Sequence, residues 1–293
     1  MKQTGAFSIV PRGPFSLATA VRHEFGPIKG RSDSIMRLAF CVDGFAEHAG
    51  VVLRTCVHGA VQARVFGALD IGAVQKQVER VLSLDYDGEP WRAVRERDPV
   101  IAALQDRFPS FRPVLHYSPY EAATWSVLTG RRGQRQAAVM RARIGKEIGE
   151  TFELAGEVMS AFPIPQRLLK LRAMHGLEPV QIERLHGIAR AALQGRLDPQ
   201  QLRVNGAKNA RDEVRCLPGI GEFYSDLIAN RAIGFSDALS KDDPKSLRCA
   251  RHYYKLRKQP TPQDYELIAE NWRPFRSWGA VLMRRAGYED GVA

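Results

Sequence analysis

The stretch of sequence that decides the fold runs from Val214 to Tyr254 and reads VRCLPGIGEFYSDLIANRAIGFSDALSKDDPKSLRCARHYY. It contains a tight-turn pattern between two helical patterns, Leu217-Pro218-Gly219-Ile220-Gly221. Proline can end a helix, and glycine tolerates positive φ and the close approach of a ligand to the backbone. Apolar residues recur at helical spacing after the turn, so a second helix is expected to begin at Glu222. Free N–H groups at such a turn and helix start can bind an anion such as a phosphate.

Two acidic residues follow in the same stretch, Asp242 and Asp243, directly before Pro244 and a further helical pattern. A carboxylate held in place can stabilise positive charge on a sugar, and it can orient or deprotonate an attacking water. An aspartate before a proline can equally cap the helix that the proline opens. This segment alone leaves catalysis and capping open.

The order of these features resembles the helix-hairpin-helix (HhH-GPD) DNA glycosylase superfamily, and within it the bacterial 3-methyladenine DNA glycosylase II family. The similarity continues into the WRPFRSW segment, Trp272 to Trp278, and back into Tyr120–Ile144. The resemblance implies base excision repair on double-stranded DNA. A damaged base, foremost an alkylated purine, is flipped out and its N-glycosidic bond is hydrolysed, which leaves an abasic site. The resemblance also implies that Asp243, the second aspartate of the pair, is catalytic.

Bifunctional members of the superfamily carry a lysine nucleophile two residues after the second glycine of the hairpin, where this chain has Phe223. Without an amine there, covalent catalysis with strand cleavage is not expected, and a monofunctional hydrolase is predicted. Lys241 is the nearest alternative amine, and a solvated loop lysine is its ordinary interpretation. Two alternatives to an enzyme stay open: a non-catalytic hairpin protein that binds DNA or senses damage, and an unrelated basic α+β protein.

The hairpin is expected to bind backbone phosphate through its N–H groups, which positions a duplex without reading its sequence. A purely structural turn between helices is the alternative. The resemblance further implies a monovalent cation at the hairpin, held by the main-chain carbonyls of Arg215, Leu217 and Ile220.

Aromatic side chains near these motifs are candidates for stacking on a flipped-out base. Phe223, Tyr224 and Trp125 are expected to serve in this way. Trp272 and Phe275 recur at helical spacing and are expected to lie mainly in the core.

The resemblance places the residue that wedges into the duplex at Arg131, in a break between helical patterns; an exposed charged turn is the alternative. It also places His23, Leu227 and Arg284 at three positions where the family carries electron-rich aromatic residues that stack on a cationic damaged base. An arginine beside a cationic purine is unfavourable. The residues therefore leave the lesion open: a neutral lesion or a narrower set of alkylated bases is the alternative to alkylated purines in general.

The composition is that of a globular protein with a polyanionic partner. At 293 residues, with 44% apolar and 26% charged side chains, the chain can bury a sizeable core and form two domains. The net charge of +11 and the pI near 9.7 favour a partner such as DNA. Most of the positive excess lies in residues 113–293, together with the hairpin.

Four scattered cysteines lack the spacing of a metal site and are expected to be reduced thiols: Cys41, Cys56, Cys216 and Cys249. None follows Cys249, so the C-terminal iron–sulfur cluster of some superfamily members is not expected. The chain shows no signal-peptide pattern and no apolar run that approaches the length of a membrane span. We expect a cytoplasmic monomer, nucleoid-associated in a bacterium, without membrane contact and without a cofactor beyond the cation.

The order of the patterns predicts an α+β fold. Residues 1–112 are expected to form a small antiparallel-sheet α+β domain, and residues 113–293 an all-α helix-hairpin-helix domain. Residues 1–13 are expected to be a loose lead-in. The helix and strand patterns of the first domain then follow at Phe15–Phe25, Ile35–Val42, Val51–Val57, Ala60–Val65 and Ile71–Leu84.

Overall fold

The computed structural model describes residues 2–22, 34–56, 59–130 and 132–293. The chain has the predicted α+β architecture, because an antiparallel sheet lies near the N-terminus and helices make up most of the remainder. Within the described ranges, no helix is both long enough and apolar enough to cross a membrane.

The N-terminal sheet consists of β1 (Gln3–Ile9), β2 (Met36–Cys41), β3 (His48–Thr55) and β4 (Val61–Phe66). The strand order is β1-β4-β3-β2, and every neighbouring pair is antiparallel. The predicted loose lead-in is wrong, because its residues form the edge strand β1. The strand pattern there is weak, since only alternate residues such as Phe7 and Ile9 turn towards the core.

Two helices, α1 (Leu17–Arg22) and α2 (Ile71–Val81), pack on one face of this sheet. Val74 and Val78 of α2 share a core with Leu38 and Leu53 of the strands. The core residues recur at helical spacing along α2, which is the pattern from which this helix was predicted.

The all-α prediction for residues 113–293 needs one correction, a β-hairpin that covers the other face of the sheet. It consists of β5 (Glu150–Leu154) and β6 (Glu157–Ala161) and turns at Ala155 and Gly156, which have φ of 47° and 81°. Phe152 packs over Gly50 of β3, where a Cβ atom would lie 2.7 Å from the ring. The hairpin forms because its alternating apolar residues find this second sheet face to cover.

Further helices lie on both sides of the turn that decides the fold. The helices before the turn are α3 (Glu89–Arg92), α4 (Pro99–Arg107), α5 (Pro119–Thr129), α6 (Gln134–Ile148), α7 (Pro165–Leu168), α8 (Pro179–Leu193), α9 (Pro199–Val204) and α10 (Gly206–Arg215). The helices after it are α11 (Glu222–Ile228), α12 (Pro244–Tyr253), α13 (Pro262–Ala269) and α14 (Arg276–Glu289). A π-helical turn, Ala229–Ile233, continues α11.

An aromatic core joins residues 1–112 to the C-terminal helices. The ring centre of Trp91 lies 5.9 Å from that of Trp278 and 6.0 Å from that of Phe275. Trp272 and Phe275 are buried in this core, as their helical spacing indicates. Packing therefore crosses residue 112, and the domain boundary placed there stays a prediction.

Candidate active site

The predicted hairpin lies between α10 and α11, with its apolar residues inward and its glycines outward. Leu217 and Ile220 are buried in the helical core, and the N–H of Ile220 donates to the carbonyl of Leu217 (3.1 Å). Gly219 has φ of 84°, a conformation that favours glycine. The N–H groups of Gly219 and Gly221 donate to no residue of the described ranges. The hairpin thus presents unpaired N–H donors at the surface, as an anion-binding turn requires.

Asp243 is held at the start of α12 by neighbouring donors. Its Oδ1 accepts from the N–H of Lys245 (3.4 Å), and its Oδ2 accepts from the N–H (3.1 Å) and the hydroxyl (2.6 Å) of Ser246. The guanidinium of Arg284, on α14, lies 3.2 Å from Oδ2. Asp243 is 6% exposed, whereas Asp242 is a surface residue. Asp243 therefore caps α12, which confirms the capping interpretation. Capping fixes the orientation of the carboxylate, and Oδ1 keeps a lone pair that can accept a further hydrogen bond.

Buried groups and positive charge surround this carboxylate. Tyr265 and Cys249 are buried close to Asp243, and burial raises the pKa of both. Burial, and after it the charge of Arg284, lower the pKa of Arg231 to about 9. Asp243 therefore lies in a poorly hydrated region where nearby charges act strongly on one another.

The three stacking candidates lie on two neighbouring helices. Phe223, the first large apolar side chain of α11, is 50% exposed, and its ring lies 5.2 Å from that of Tyr224. The hydroxyls of Tyr224 and Thr129 are 2.8 Å apart and share a hydrogen bond, which ties α11 to the end of α5. Trp125, also on α5, packs partly buried against the same core as Tyr224. Their stacking on a base stays a prediction.

Two of the predicted site residues, Arg131 and His23, lie outside the described residues. The neighbouring Arg132 donates a hydrogen bond to the carbonyl of Gly176, in the loop before α8. Leu227, another of the three predicted pocket positions, is partly buried on α11. The end of α5 thus lies beside α11, and Arg132 lies beside the loop that leads to α8.

The carbonyls predicted to hold a monovalent cation fit that role. No residue of the described ranges donates to the carbonyl of Arg215 or Ile220, and that of Leu217 accepts a single hydrogen bond, from Ile220. Carbonyl oxygens with free lone pairs are suitable ligands for a hard cation. Elsewhere in the part of the chain that the structure describes, no group of three or more histidine, cysteine and carboxylate side chains could hold a metal ion.

A cavity of about 400 Å³ lies away from Asp243, beside the N-terminus of α8. Arg172, His175 and Ile182 are among its lining residues. The side chain of Arg143 donates to the carbonyl of His175 (2.9 Å). The cavity contains none of the predicted site residues, so it does not enlarge the candidate site.

No protein-family model matches the chain. The chain is 22% identical over 219 residues to the DNA-3-methyladenine glycosylase of Bacillus subtilis (strain 168), which covers 73% of this chain and 72% of the relative. It is 25% identical over 213 residues to the probable bifunctional transcriptional activator/DNA repair enzyme AlkA of Mycobacterium tuberculosis (strain CDC 1551 / Oshkosh), and covers 42% of that longer protein.

The solved 3-methyladenine DNA glycosylase from Archaeoglobus fulgidus superposes with a TM-score of 0.77, at 17% identity, over 99% of this chain and 100% of that chain. The chain has the helix-hairpin-helix DNA glycosylase fold. A Schizosaccharomyces pombe 3-methyladenine DNA glycosylase in complex with abasic DNA superposes with a TM-score of 0.54, at 19% identity, over 68% of this chain and 97% of that one. The resemblance stated from the sequence motifs is confirmed.

In this glycosylase fold, sequence reasoning missed the side chains that hold the C-terminal end of α11, the helix that follows the hairpin (the hairpin helix). The carbonyl of Ala232, in the π-helical turn, accepts from Arg80 (2.8 Å), and that of Gly234 accepts from the hydroxyl of Tyr86 (3.0 Å). Both donors come from the N-terminal part of the chain, before the predicted domain boundary. Arg80 lies among the buried residues of α2 beside Val78. An arginine on an apolar helix face is expected to have a buried partner, and this was the signal in the sequence that pointed to such a contact.

Proposed function

We propose that this protein is a monofunctional DNA glycosylase of base excision repair, which removes damaged bases, foremost alkylated purines, and leaves an abasic site. Asp243 carries the proposal, because it is a buried carboxylate in a fixed orientation with a lone pair of Oδ1 to spare. The Bacillus subtilis relative, a DNA-3-methyladenine glycosylase, supports the assignment. Work on chromosomal DNA accords with a cytoplasmic or nucleoid location.

The chemistry follows from the carboxylate. As the base leaves with the electron pair of the N-glycosidic bond, positive charge develops on the deoxyribose, and the ionised Asp243 stabilises it. Oδ1 can also accept a hydrogen bond from the water that attacks the anomeric carbon. Phe223 offers no amine, so the reaction ends at the abasic site.

The hairpin is the proposed grip on the duplex. The unpaired N–H groups of Gly219 and Gly221 support binding of a phosphate, and a monovalent cation on the carbonyls of Arg215, Leu217 and Ile220 would add positive charge there. With a net charge of +11, the affinity for DNA should fall steeply as salt rises. We expect the protein to act as a monomer.

Aromatic side chains are the proposed contacts to the damaged nucleotide. The exposure of Phe223 supports stacking on the flipped-out base, with Tyr224 and Trp125 beside it. Arg131 is proposed to fill the space that the base leaves. In the sequence it comes two residues after Thr129, the last residue of α5, and Thr129 is hydrogen-bonded to Tyr224 of α11.

Base release from duplexes that each carry one lesion, measured in single turnovers, tests the assignment. Asp243→Asn should lower the rate by about 100-fold or more while duplex binding is kept, because asparagine preserves the cap but not the charge. Asp198→Asn is the matched control, since Asp198 caps α9 before a proline in the same way. Binding without release from any lesion would instead support a non-catalytic, damage-sensing protein.

The monofunctional assignment has a separate test. Lys241 forms an ion pair with Glu266 (3.0 Å) at the surface, so this lysine has a structural role that does not involve catalysis. Incubation with an abasic duplex and borohydride should trap no covalent adduct, in the wild type or in Lys241→Ala. An adduct that is lost in Lys241→Ala would show that this lysine acts as a nucleophile.

A further inference from the structure

The geometry points to Arg284 as the residue that selects uncharged base lesions over cationic ones. In chemical terms, the favoured substrates are alkylated purines whose added group leaves the base neutral, such as a ring fused across two nitrogens. This inference rests on the proposed function and assigns the substrate class at the same site.

Arg284 is within reach of any base that reacts at Asp243. Its guanidinium nitrogen lies 3.2 Å from Oδ2, and its side chain is 31% exposed, against 5% for Asp243. Reacting atoms must approach to roughly 3–3.5 Å, so the anomeric carbon lies close to the carboxylate and the base, bonded directly to that carbon, lies close to the guanidinium. A guanidinium has five N–H donors. It can therefore hold Asp243 with one edge and a base with another.

The charges around the site add to the effect of Arg284. Those that act on Cys249, on the buried side of α12, come from Arg284, Arg248 and Lys245 on the positive side and from Asp243 on the negative side. Arg231 lies close enough for its own titration to respond to Arg284. Around Cys249, six residues beyond Asp243 on the same helix, basic side chains therefore outnumber acidic ones.

This field affects the two classes of lesion in opposite ways. A cationic base, such as 7-methylguanine, is repelled on entry, and it leaves as a neutral molecule that needs little help. A neutral base takes the electron pair of the N-glycosidic bond and departs as an anion, which a guanidinium stabilises by charge and hydrogen bonds. Water then supplies the oxygen to the anomeric carbon and, in the end, a proton to the departed base. Arg284 therefore favours the neutral substrate in both binding and bond cleavage.

Base release from three otherwise identical duplexes tests this selection. They carry 7-methylguanine, 1,N6-ethenoadenine or hypoxanthine, and each single-turnover rate is divided by the spontaneous rate of loss of that base. The wild type should accelerate release of the two neutral bases at least about tenfold more than release of the cationic base. Two unit charges about 6 Å apart, at an effective dielectric constant of about 20, change a rate by roughly 100-fold before salt screens the interaction. Arg284→Gln should reduce this preference by about tenfold or more.

Two further variants keep the outcome clear. Arg285→Gln is the control, because the neighbouring Arg285 pairs with Glu289 (2.9 Å) rather than with Asp243, and it should keep the wild-type preference. Arg284→Lys retains the charge, so it should keep a preference for neutral bases. This variant still tests the inference if Arg284→Gln folds poorly. Thermal unfolding of each variant shows whether it is folded.

The inference and the proposed function fail in different ways. Release of bases with the same preference in the wild type and in Arg284→Gln would overturn the role of Arg284 and leave the glycosylase assignment standing. A wild-type preference for the cationic base would do the same. The absence of release from all three duplexes and from the wider lesion panel would overturn both.

Discussion

Asp98 joins the N-terminal part of the chain to the C-terminal helices, and its substitution tests how much this contact stabilises the fold. This carboxylate is 1% exposed and caps α4, with Oδ1 accepting from the N–H groups of Val100 (2.9 Å) and Ile101 (3.0 Å). Its Oδ2 accepts from the hydroxyl of Tyr254 (2.5 Å), directly after α12, and from the indole N–H of Trp272 (2.9 Å). The helix that carries the catalytic candidate is thus anchored at its far end by a residue from the N-terminal part of the chain.

Asp98→Asn keeps the cap, because asparagine caps helices as well as aspartate does, but it replaces Oδ2 by an amide NH₂. The hydroxyl of Tyr254 can turn and accept from this amide. The indole N–H of Trp272 can only donate, so it loses Oδ2 and keeps the hydroxyl of Tyr254 (3.1 Å) as its acceptor. Hydrogen bonds to charged groups contribute roughly 1.5–3 kcal/mol each, and the substitution weakens both of those that Oδ2 accepts, so we expect a cost of about 3 kcal/mol. With an unfolding entropy of roughly 2.1 cal/mol/K per residue over 293 residues, Tm should fall by about 5 °C.

Thermal unfolding followed by circular dichroism measures this fall. Asp198→Asn is the matched control: Asp198 also precedes a proline and accepts from the N–H of Gln201 (2.7 Å). Its Tm should change by less than about 1 °C, since the cap is kept. A loss in Asp98→Asn no larger than that of the control would refute the reasoning.

Three further predictions concern the hairpin and the buried groups. Gly219→Ala should weaken duplex binding by about tenfold in fluorescence anisotropy, because φ of 84° costs a non-glycine residue about 1–2 kcal/mol and the new Cβ would lie 2.9 Å from the side chain of Arg184. Tyr224→Phe removes the hydrogen bond to Thr129 and should lower Tm by about 1–2 °C. His116→Gln should flatten the acid side of the stability curve in urea unfolding. Burial above all lowers the pKa of His116 to about 3, so between about pH 6.5 and that value the unfolded chain binds a proton that the folded chain does not. The wild type should lose up to about 1.4 kcal/mol per pH unit there, and an equal loss in the variant would contradict the assignment.

The turn and the capped carboxylate could be predicted because their signals are local. Proline and glycine set the backbone of Leu217–Gly221 wherever it lies in the fold, and an aspartate before a proline starts a helix through its own neighbours. The same local signal occurs at Asp98, Asp198 and Asp243, and in all three the side chain caps the helix. The sequence at these positions does not distinguish an anchor, a surface cap and a catalytic candidate.

The features that were missed depend on contacts between distant segments. The edge strand Gln3–Ile9 shows little alternation by itself and becomes regular by pairing with β4. The β5-β6 hairpin is short, and its apolar face acquires a partner only when it meets the sheet. No spacing rule predicts that Arg80 and Tyr86 reach carbonyls far along the chain, because the π-helical turn that exposes those carbonyls is itself absent from the helical pattern.

These distant contacts bear on the chemistry. The hairpin helix begins at the proposed phosphate grip and ends at carbonyls held by Arg80 and Tyr86. The next helix begins at Asp243 and ends at Tyr254, which is held by Asp98. Both helices are therefore fixed at their far ends by side chains from the N-terminal part of the chain. A glycosylase must hold the phosphate and the anomeric carbon at one separation. The N-terminal part of the chain therefore helps to set the distance between the phosphate-binding hairpin and the carboxylate of Asp243, although it contains neither of them.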